Sequence, residues 1–305
     1  MSAIAWIAVD WGSTQLRAWA MGADGSVLQW VSAERGMLTL APDQFEPALL
    51  ELIERWLPAA GVVTVIACGM VGARQGWREA PYCQVPCAPL SARQFVMIPS
   101  HSEQLKVYLL PGLSQELPAD VMRGEETQIA GVLERQPEFN GIVCLPGTHC
   151  KWVRVNQGKV TGFQTFMTGE LFALLAEHSV LKHGMNDPQA DTLSSSLPVF
   201  LSAMRSAFEQ PGQLSAALFS LRAQGLLQGM TADEARARLS GLLIGAELAA
   251  SQMFRADEPV IIVGDSGVAE LYAEALQSLG ITPQRLNADA VTLAGLKAAR
   301  SLLGI

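Results

Sequence analysis

The feature that most constrains the fold of this chain is a pattern that occurs twice: an apolar strand, a polar turn, a second strand, a further turn and a third strand. The first set of strands is predicted at residues 4–9, 15–20 and 26–31, and the second set runs from residue 141 to residue 166. The two units lie about 135 residues apart, counted from Asp10 to Leu145. A chance hairpin is not expected to recur with a matching polar turn, so the repeat predicts two similar α/β lobes.

The first polar turn has the composition of an anion site. Asp10 ends the first strand, and Gly12, Ser13 and Thr14 follow it. Backbone N–H groups of such a turn can surround an anion, and the two hydroxyls add further donors. The aspartate is placed to hold a hydrated magnesium ion beside that anion. The turn therefore predicts a nucleoside triphosphate with its magnesium, and an ordinary hairpin with a turn-capping aspartate is the alternative.

Two further segments suit the same ligand. The second polar turn offers backbone amides at Gly147 and Thr148 and the ammonium group of Lys151, which would compensate charge on phosphate oxygens. A later glycine-rich loop, formed by Gly264, Asp265, Ser266 and Gly267, joins an apolar strand to a helix and is predicted to bind the adenosine. The alternatives are an exposed strand start for Lys151 and a simple strand–helix connection for the loop.

A pair of glutamates is the predicted source of a catalytic base. Glu125 and Glu126 follow Arg123-Gly124 and precede an apolar helical stretch at residues 129–133. Phosphorylation of an alcohol requires a carboxylate within hydrogen-bond reach of the hydroxyl, because a neutral alcohol attacks poorly. We favour Glu125 as this base and keep Glu126 as the alternate. Both residues would also stabilise the positive end of a helix without any catalytic role.

The loop at residues 69–82 is predicted to recognise the acceptor. It is rich in glycine, arginine and aromatic residues, and glycines allow a backbone to approach a ligand closely. Arginine can grip a carboxylate with two parallel hydrogen bonds, and tryptophan can cover one face of a small polyol. The predicted substrate-binding residues are Arg17, Arg74, Gln75, Trp77 and Arg78. A surface connector without binding function is the alternative for this loop.

Composition narrows the class of protein. The chain has 305 residues, half of them hydrophobic, and a net charge of −8, so a general nucleic-acid or anionic-membrane surface is not expected. Five cysteines without a C-x-x-C pair, and no secretory signal at the start, predict reduced thiols in a cytoplasmic protein. The expected partners are a small acidic substrate and ATP. The oligomeric state is not set by these features, and a homodimer is kept as an alternative.

With these segments placed, the chain resembles the 2-dehydro-3-deoxygalactonokinase family of the actin/hexokinase/sugar-kinase superfamily. The resemblance spans essentially the whole chain and rests on five motifs: A-V-D-W-G-S-T-x-L-R-A-W, C-G-M-V-G-A-R-Q-G-W-x-E-A-P-Y, M-R-G-E-E-T-Q, L-P-G-T-H-C-K-W-V and F-M-T-G-E-L-F. Membership implies ATP-dependent phosphorylation of the 6-hydroxyl of 2-dehydro-3-deoxy-D-galactonate in galactonate breakdown. It also implies two ribonuclease-H-like lobes with an ATP cleft between them.

The resemblance implies a division of labour along the chain. Residues 1–135 would form an acceptor-binding lobe and residues 136–305 a nucleotide-binding lobe, with the last helix returning to the first lobe. Many sugar kinases of the superfamily carry Gly-Asp where this chain has Gly124-Glu125. Polyphosphate-cleaving relatives carry a similar Gly-x-Glu-Glu signature, so a phosphoanhydride hydrolase is an alternative function. A non-enzymatic actin-like ATP switch is a third.

Overall fold

The computed structural model describes residues 3–185, 196–251, 258–265 and 267–305. The strands in these ranges are β1 (Trp6–Trp11), β2 (Leu16–Met21), β3 (Val27–Ala33), β4 (Val63–Gly69), β5 (Tyr82–Gln84), β6 (Val96–Ile98), β7 (Leu105–Leu109), β8 (Gly112–Gln115), β9 (Asp120–Met122), β10 (Gly141–Leu145), β11 (Cys150–Asn156), β12 (Lys159–Phe166), β13 (Val260–Val263) and β14 (Gln284–Leu286). The helices are α1 (Phe45–Ile53), α2 (Glu125–Arg135), α3 (Thr168–His178), α4 (Leu197–Glu209), α5 (Leu214–Gln228), α6 (Ala232–Ala250), α7 (Gly267–Ser278) and α8 (Ala288–Leu303).

The chain folds into two compact units. Unit 1 comprises residues 1–139, 156–162 and 288–305, and unit 2 comprises residues 140–155 and 163–287. The final helix, α8, is therefore part of unit 1, and so is the tip of the β11–β12 hairpin. At that tip Val160 pairs with Cys87 of unit 1.

Unit 1 is built on a six-stranded sheet with the strand order β3-β2-β1-β4-β7-β6. β1 pairs antiparallel with β2 and parallel with β4. Side chains alternate along β1, so Ile7, Val9 and Trp11 share one buried cluster with α1. Trp6 and Ala8 belong to the opposite cluster, which includes residues of α2 and α8. Burial on both faces explains why β1 reads as an almost continuous apolar run.

Helices α2 and α8 cross in direct backbone contact. A Cβ built on Gly131 would lie 1.8 Å from the carbonyl oxygen of Val291, and one on Gly295 would lie 1.9 Å from that of Thr127. Only glycine permits such an approach, because any side chain would occupy the space of the facing helix backbone. This contact fixes the start of α8 and the start of α2 on one face of the sheet.

Unit 2 repeats the strand order of unit 1. Its five-stranded sheet runs β12-β11-β10-β13-β14, and β10 pairs antiparallel with β11 and parallel with β13, as β1 does with β2 and β4. The predicted duplication and the predicted two-lobed α/β class are confirmed. Each predicted strand of the two repeats lies within three residues of an observed one.

The helices of unit 2 also meet through glycines. A Cβ on Gly241 of α6 would lie 2.4 Å from the carbonyl oxygen of Phe200, and one on Gly245 would lie 2.2 Å from that of Met204, both on α4. α6 begins at a capping box, in which the Thr231 hydroxyl accepts from Glu234 N–H and the Glu234 side chain accepts from Thr231 N–H. Within the described ranges, no helix is both long and apolar enough to cross a bilayer.

The α2–α8 contact generates a stability prediction. Gly295→Ala should destabilise the protein, because the new methyl group would force two helix backbones apart at a cost of about 1–3 kcal/mol or more. Gly225→Ala in α5 is the matched control, since no atom lies within 4 Å of its Cβ position. There alanine should stabilise by about 0.5–1 kcal/mol through helix propensity. Urea unfolding of both variants measures the difference, and equal effects would contradict the close crossing.

Candidate active site

The first polar turn is held from behind by the chain that follows β3. The carbonyl oxygens of Gly12, Ser13 and Thr14 accept hydrogen bonds from the N–H groups of Met37, Leu38 and Gly36, respectively. Among the described residues, the N–H groups of Ser13 and Thr14 have no backbone acceptor. The carbonyls of the turn are therefore engaged, whereas these two N–H groups are left to other acceptors, which is the arrangement that an anion site requires.

Gly36 makes this support possible, although no sequence pattern indicates it. A Cβ on Gly36 would lie 2.2 Å from the Thr14 nitrogen and 2.3 Å from the Ser13 carbonyl. The indole N–H of Trp11 donates to the carbonyl of Arg35 at 2.8 Å, which anchors the same segment. The turn is therefore fixed on two sides before any ligand binds.

Asp10 sits in an ion-pair chain at the end of β1. Its Oδ2 lies 2.5 Å from a guanidinium nitrogen of Arg17, and Arg17 also pairs with Asp289 at the start of α8. The Asp10 side chain is 16% exposed. The structure thus places Arg17, a predicted substrate-binding residue, between two carboxylates beside the first turn.

The ends of β4 and α2 meet through two glycines with positive φ. Gly69 has φ +92° and Gly124 has φ +107°, and a Cβ on Gly124 would lie 3.3 Å from the Gly69 Cα. A Cβ on Gly69 would lie 3.3 Å from Oδ1 of Asp10. This close approach brings the start of α2, and with it the glutamate pair, to the end of β1 where Asp10 lies.

The two glutamates occupy different environments. Glu126 is completely buried and accepts hydrogen bonds from Gly124 N–H at 2.6 Å and from the Thr127 hydroxyl at 2.9 Å. Burial, with the nearby Glu125 carboxylate as the next cause, raises the pKa of Glu126 from 4.5 to about 7. Glu125 is half-buried and accepts from Arg123 N–H at 3.1 Å. Of the two glutamates, only Glu125 is partly accessible to solvent.

The predicted substrate-binding residues of the acceptor loop differ in their exposure to solvent. Arg74, Gln75 and Arg78 are exposed. Trp77 is half-buried, packs against the core cluster of β1 and α1, and meets the Trp11 ring edge-on with centroids 6.3 Å apart. The two arginines therefore remain accessible to a ligand carboxylate, whereas much of Trp77 is committed to packing.

Arg123, beside this loop, is a residue of the site that the sequence does not predict. It is only 8% exposed, and its guanidinium donates to the carbonyl of Ala80 at 2.8 Å. Its Cζ lies 4.3 Å from the ring centroid of Tyr82. An arginine directly before a helix start is typical of a solvated position, so the sequence carries no sign of its burial.

In unit 2, the second polar turn is exposed at Gly147, Thr148 and His149. The start of α3 presses against it: a Cβ on Gly169 would lie 2.4 Å from the Gly147 carbonyl oxygen, and Glu170 N–H donates to the Thr148 carbonyl at 3.0 Å. His149 and Glu170 pair at 2.6 Å, a contact that the sequence does not predict. Lys151 lies in β11 and is 4% exposed, so its charge lies behind the turn and not at its tip.

A cavity of about 520 Å³ adjoins this turn within unit 2. It is lined mainly by apolar groups of α6 and α7, including Ile244 and Leu271, with polar groups at Thr148, Arg236 and Ser240. The guanidinium of Arg236 lies over the Phe172 ring, 5.3 Å from its centroid. An apolar slot with a few polar groups suits a flat heteroaromatic base.

The floor of this cavity is organised by a buried carboxylate. Glu247 of α6 is 3% exposed and accepts from the indole of Trp152 at 2.7 Å, from the hydroxyl of Tyr272 at 2.6 Å and from the hydroxyl of Thr168. Burial raises the pKa of Glu247 despite these donors. Thr168 and Tyr272 both line the cavity, so one carboxylate sets the position of two of its walls.

The predicted adenosine loop is described in part. Gly264 N–H donates to the Leu286 carbonyl at 2.9 Å, and Gly267 and Val268 line the cavity. Asp265 has interaction partners of its own. Ser266 lies outside the described residues. The loop and the second turn thus border one cavity of unit 2.

The described residues offer single carboxylates as metal ligands and no site with several protein ligands. Over the described ranges, no group of three or more His, Cys, Asp or Glu residues could hold a metal ion. Nucleotide-bound magnesium usually takes only one or two protein carboxylates and completes its shell with phosphate oxygens and water. Asp10, a partly exposed carboxylate beside the first turn, fits that requirement.

Glu126 generates a prediction about pH. The folded chain holds its proton up to about pH 7, whereas the unfolded chain releases it near 4.5. Its stabilising contribution is therefore complete below the unfolded pKa and is lost as the pH rises through the folded one. Relative to Glu126→Gln, the wild-type free energy of unfolding should fall by roughly 3 kcal/mol, mostly between pH 5 and pH 7. Urea unfolding across this range tests it, and a pH-independent difference would contradict it.

Known proteins resemble this chain over nearly its whole length. The model of the 2-keto-3-deoxy-galactonokinase family matches residues 10–299. A probable 2-dehydro-3-deoxygalactonokinase of Rhizobium meliloti (strain 1021) is 41% identical over 96% of this chain and 95% of its own length. The 2-dehydro-3-deoxygalactonokinase of Escherichia coli (strain K12) is 33% identical over 96% of both chains.

Solved structures agree with these sequence relatives. A crystal structure of a protein from Sinorhizobium meliloti, 40% identical, superposes with a TM-score of 0.90 and covers 98% of this chain and 99% of its own. The ADPNP-bound activator of 2-hydroxyisocaproyl-CoA dehydratase from Clostridium difficile, 12% identical, has a TM-score of 0.50 over 98% and 96% of the two chains, a similarity of fold alone. The resemblance drawn from the motifs is confirmed: this chain belongs to the 2-keto-3-deoxy-galactonokinase family.

Proposed function

We propose that this protein transfers the γ-phosphoryl group of ATP to the 6-hydroxyl of 2-dehydro-3-deoxy-D-galactonate. Two relatives, 41% and 33% identical over nearly their whole length, carry this activity in their names. In the reaction the hydroxyl loses its proton, its oxygen bonds to the γ-phosphorus, and the bond to the bridging oxygen of ADP breaks. The products are the 6-phosphate of the sugar acid and ADP.

The arrangement of Glu125 is the observation that supports this chemistry most directly. Its half-buried carboxylate lies at the start of α2, and the Gly69–Gly124 contact brings that helix start to the strand end that carries Asp10. A base must reach the hydroxyl that it deprotonates, so geometry takes precedence over the pKa of a candidate. Because Glu126 is completely buried, Glu125 is the base and Glu126 supports its position.

Unit 1 would bind the acceptor. The substrate is a carboxylate, and Arg74 and Arg78 are exposed on the acceptor loop with guanidinium groups that can form paired hydrogen bonds to it. Gln75 between them adds a polar group for a hydroxyl. Trp77 contributes mainly by holding the loop on the core.

Unit 2 would bind the nucleoside part of ATP. The 520 Å³ cavity offers apolar walls for adenine, and Gly264 and Asp265 precede the helix that lines it. Gly147 and Thr148 supply exposed N–H groups for phosphate oxygens, and Lys151 adds positive charge behind them. The first turn, with Gly12, Ser13 and Thr14, would bind phosphate oxygens in the same manner.

Asp10 would hold the magnesium ion that accompanies ATP. When bound, the ion neutralises charge on the β- and γ-phosphates and lowers the barrier to transfer. Arg17 pairs with Asp10 and limits the freedom of its carboxylate, so the aspartate is already oriented. Orientation of this kind reduces the entropy that must be lost when the ligand binds.

Acceptor dependence is the first test of the proposal. Release of ADP from ATP and magnesium should require 2-dehydro-3-deoxy-D-galactonate and should be far slower with its gluconate epimer. A coupled ADP assay compares the two acceptors and a reaction without acceptor. Equal release in all three reactions would show hydrolysis and overturn the kinase assignment.

The role of Glu125 has its own test. Glu125→Gln should lower kcat by about 10²–10⁴-fold, because the amide cannot accept the hydroxyl proton. Affinity for ATP should stay near the wild-type value, as measured by calorimetry. Glu134→Gln, an exposed position on the same helix, is the matched control and should keep full turnover. Normal turnover of Glu125→Gln would remove this residue from the mechanism.

A further inference from the structure

Arg123 lies where the acceptor loop, the strand after it and the start of α2 come together. Its guanidinium donates to Ala80 at the end of the loop and lies over the ring of Tyr82, the first residue of β5. Its own backbone N–H donates to Glu125. Arg123 therefore connects two segments: its side chain contacts the segment that would grip the acceptor, and its backbone contacts the residue that would deprotonate it.

The loop is shaped to accept this cation. A Cβ on Gly72 would lie 2.9 Å from Nη1 of Arg123 and 3.2 Å from the Cβ of Ala80. The loop also closes on itself, because Ala80 N–H donates to the Gly72 carbonyl at 2.9 Å and Trp77 N–H donates to the Val71 carbonyl at 2.9 Å. The absence of a side chain at position 72 lets the guanidinium lie against the loop backbone.

Stability alone does not account for this arginine. Its Nε and Nη1 are buried and find no hydrogen-bond partner among the described residues. A buried cation with unpaired N–H groups costs free energy of folding, and an apolar side chain of similar size often serves a core better. What the guanidinium supplies is a planar group that meets a carbonyl and an aromatic face at once, which lysine cannot match.

We propose that Arg123 is a positioning residue: it locks the acceptor loop against the start of α2 and thereby sets the affinity for the sugar acid. The inference rests on the proposed function, since it assumes that Arg74, Arg78 and Glu125 meet the acceptor. It assigns Arg123 no contact with substrate. Without the Arg123 contact, the loop would keep its internal hydrogen bonds but could shift relative to Glu125.

Two different substitutions test the same contact. Arg123→Lys removes the planar group and keeps the charge, whereas Gly72→Ala keeps the arginine and displaces it. Both variants should raise KM for the sugar acid by about tenfold or more, because a shift of about 1 Å in a positioned group is costly. KM for ATP should stay within about twofold, since the ATP-binding turns lie outside this contact.

The controls match each change. Arg93→Lys replaces an exposed arginine, and Gly225→Ala adds a methyl group where no atom lies within 4 Å. These two control variants should leave KM for the sugar acid and KM for ATP unchanged. A uniform loss of activity in Arg123→Lys and Gly72→Ala, with both KM values rising together or with only the melting temperature falling, would reduce Arg123 to a structural residue and overturn the proposal.

A second measurement does not depend on turnover. Hydrogen exchange in peptides covering residues 70–82 should be faster in Arg123→Lys and Gly72→Ala than in the wild type, while peptides from β1 and β4 keep their protection. The wild type could lack acceptor-dependent turnover while the loop still exchanged faster in both variants. The proposed function would then be wrong, but the proposal that Arg123 holds the loop against α2 would be supported. Unchanged exchange in the loop would show that Arg123 does not hold it in place and would overturn the proposal.

Discussion

The parallel pairing of β1 with β4 is the constraint on which the candidate site of unit 1 depends. Its register places Asp10 beside Cys68 and Trp11 beside Gly69, so both strands end at the same edge of the sheet. Gly69 then turns with a positive φ that leaves room for Gly124. Through this sequence of contacts a hydrogen-bond register within a sheet determines where the glutamates of α2 lie. A slip of one residue would move Asp10 to the opposite face.

Buried carboxylates organise both units, and burial dominates their electrostatics. Glu126 accepts from two donors and Glu247 from at least three, yet both pKa values are raised because desolvation outweighs the hydrogen bonds. Such groups suit the fixing of neighbours better than chemistry, since no substrate reaches them. In the proposed function, the reactive role in unit 1 would therefore belong to Glu125, and the ligand of unit 2 would contact the cavity walls that Glu247 holds in place.

The sequence predicts the parts of the fold whose patterns are local and long enough to read. The strands of both repeats are the main example. The segment from β5 to β9 carries no such signal, because strands of three to five residues show too little alternation to recognise. The Gly69–Gly124 contact brings the predicted Asp10 and the glutamate pair together, but nothing in the local sequence indicates which of these residues are buried.

The burial of charged residues and the need for particular glycines could not be predicted from the sequence, because tertiary packing determines them. Nothing in the sequence marks the charged residues Lys151, Arg123 and Glu247 as buried, because their burial depends on neighbours far away in the chain. The same holds for Gly36, Gly72 and Gly169, whose importance lies in a distant backbone or cation that approaches them. A glycine in a sequence usually indicates a turn. At these three positions glycine is needed for another reason: a Cβ would collide with the group that packs against it.

The duplicated topology explains why two similar sheets support different sites. Both place a polar turn after the central strand, but they differ in the connection that leaves the parallel neighbour of that strand. After β4 comes the long glycine- and arginine-containing loop, whose Ala80 carbonyl accepts from Arg123, and Arg123 lies two residues before a helix that begins with two acids. After β13 the chain passes within a few residues into α7, whose first residues line an apolar cavity. In the proposed function, the long loop would provide polar groups for a small acid, and the short connection would bring a helix wall close to a base. The specialisation of each unit therefore lies in one connection, on a strand order that both share.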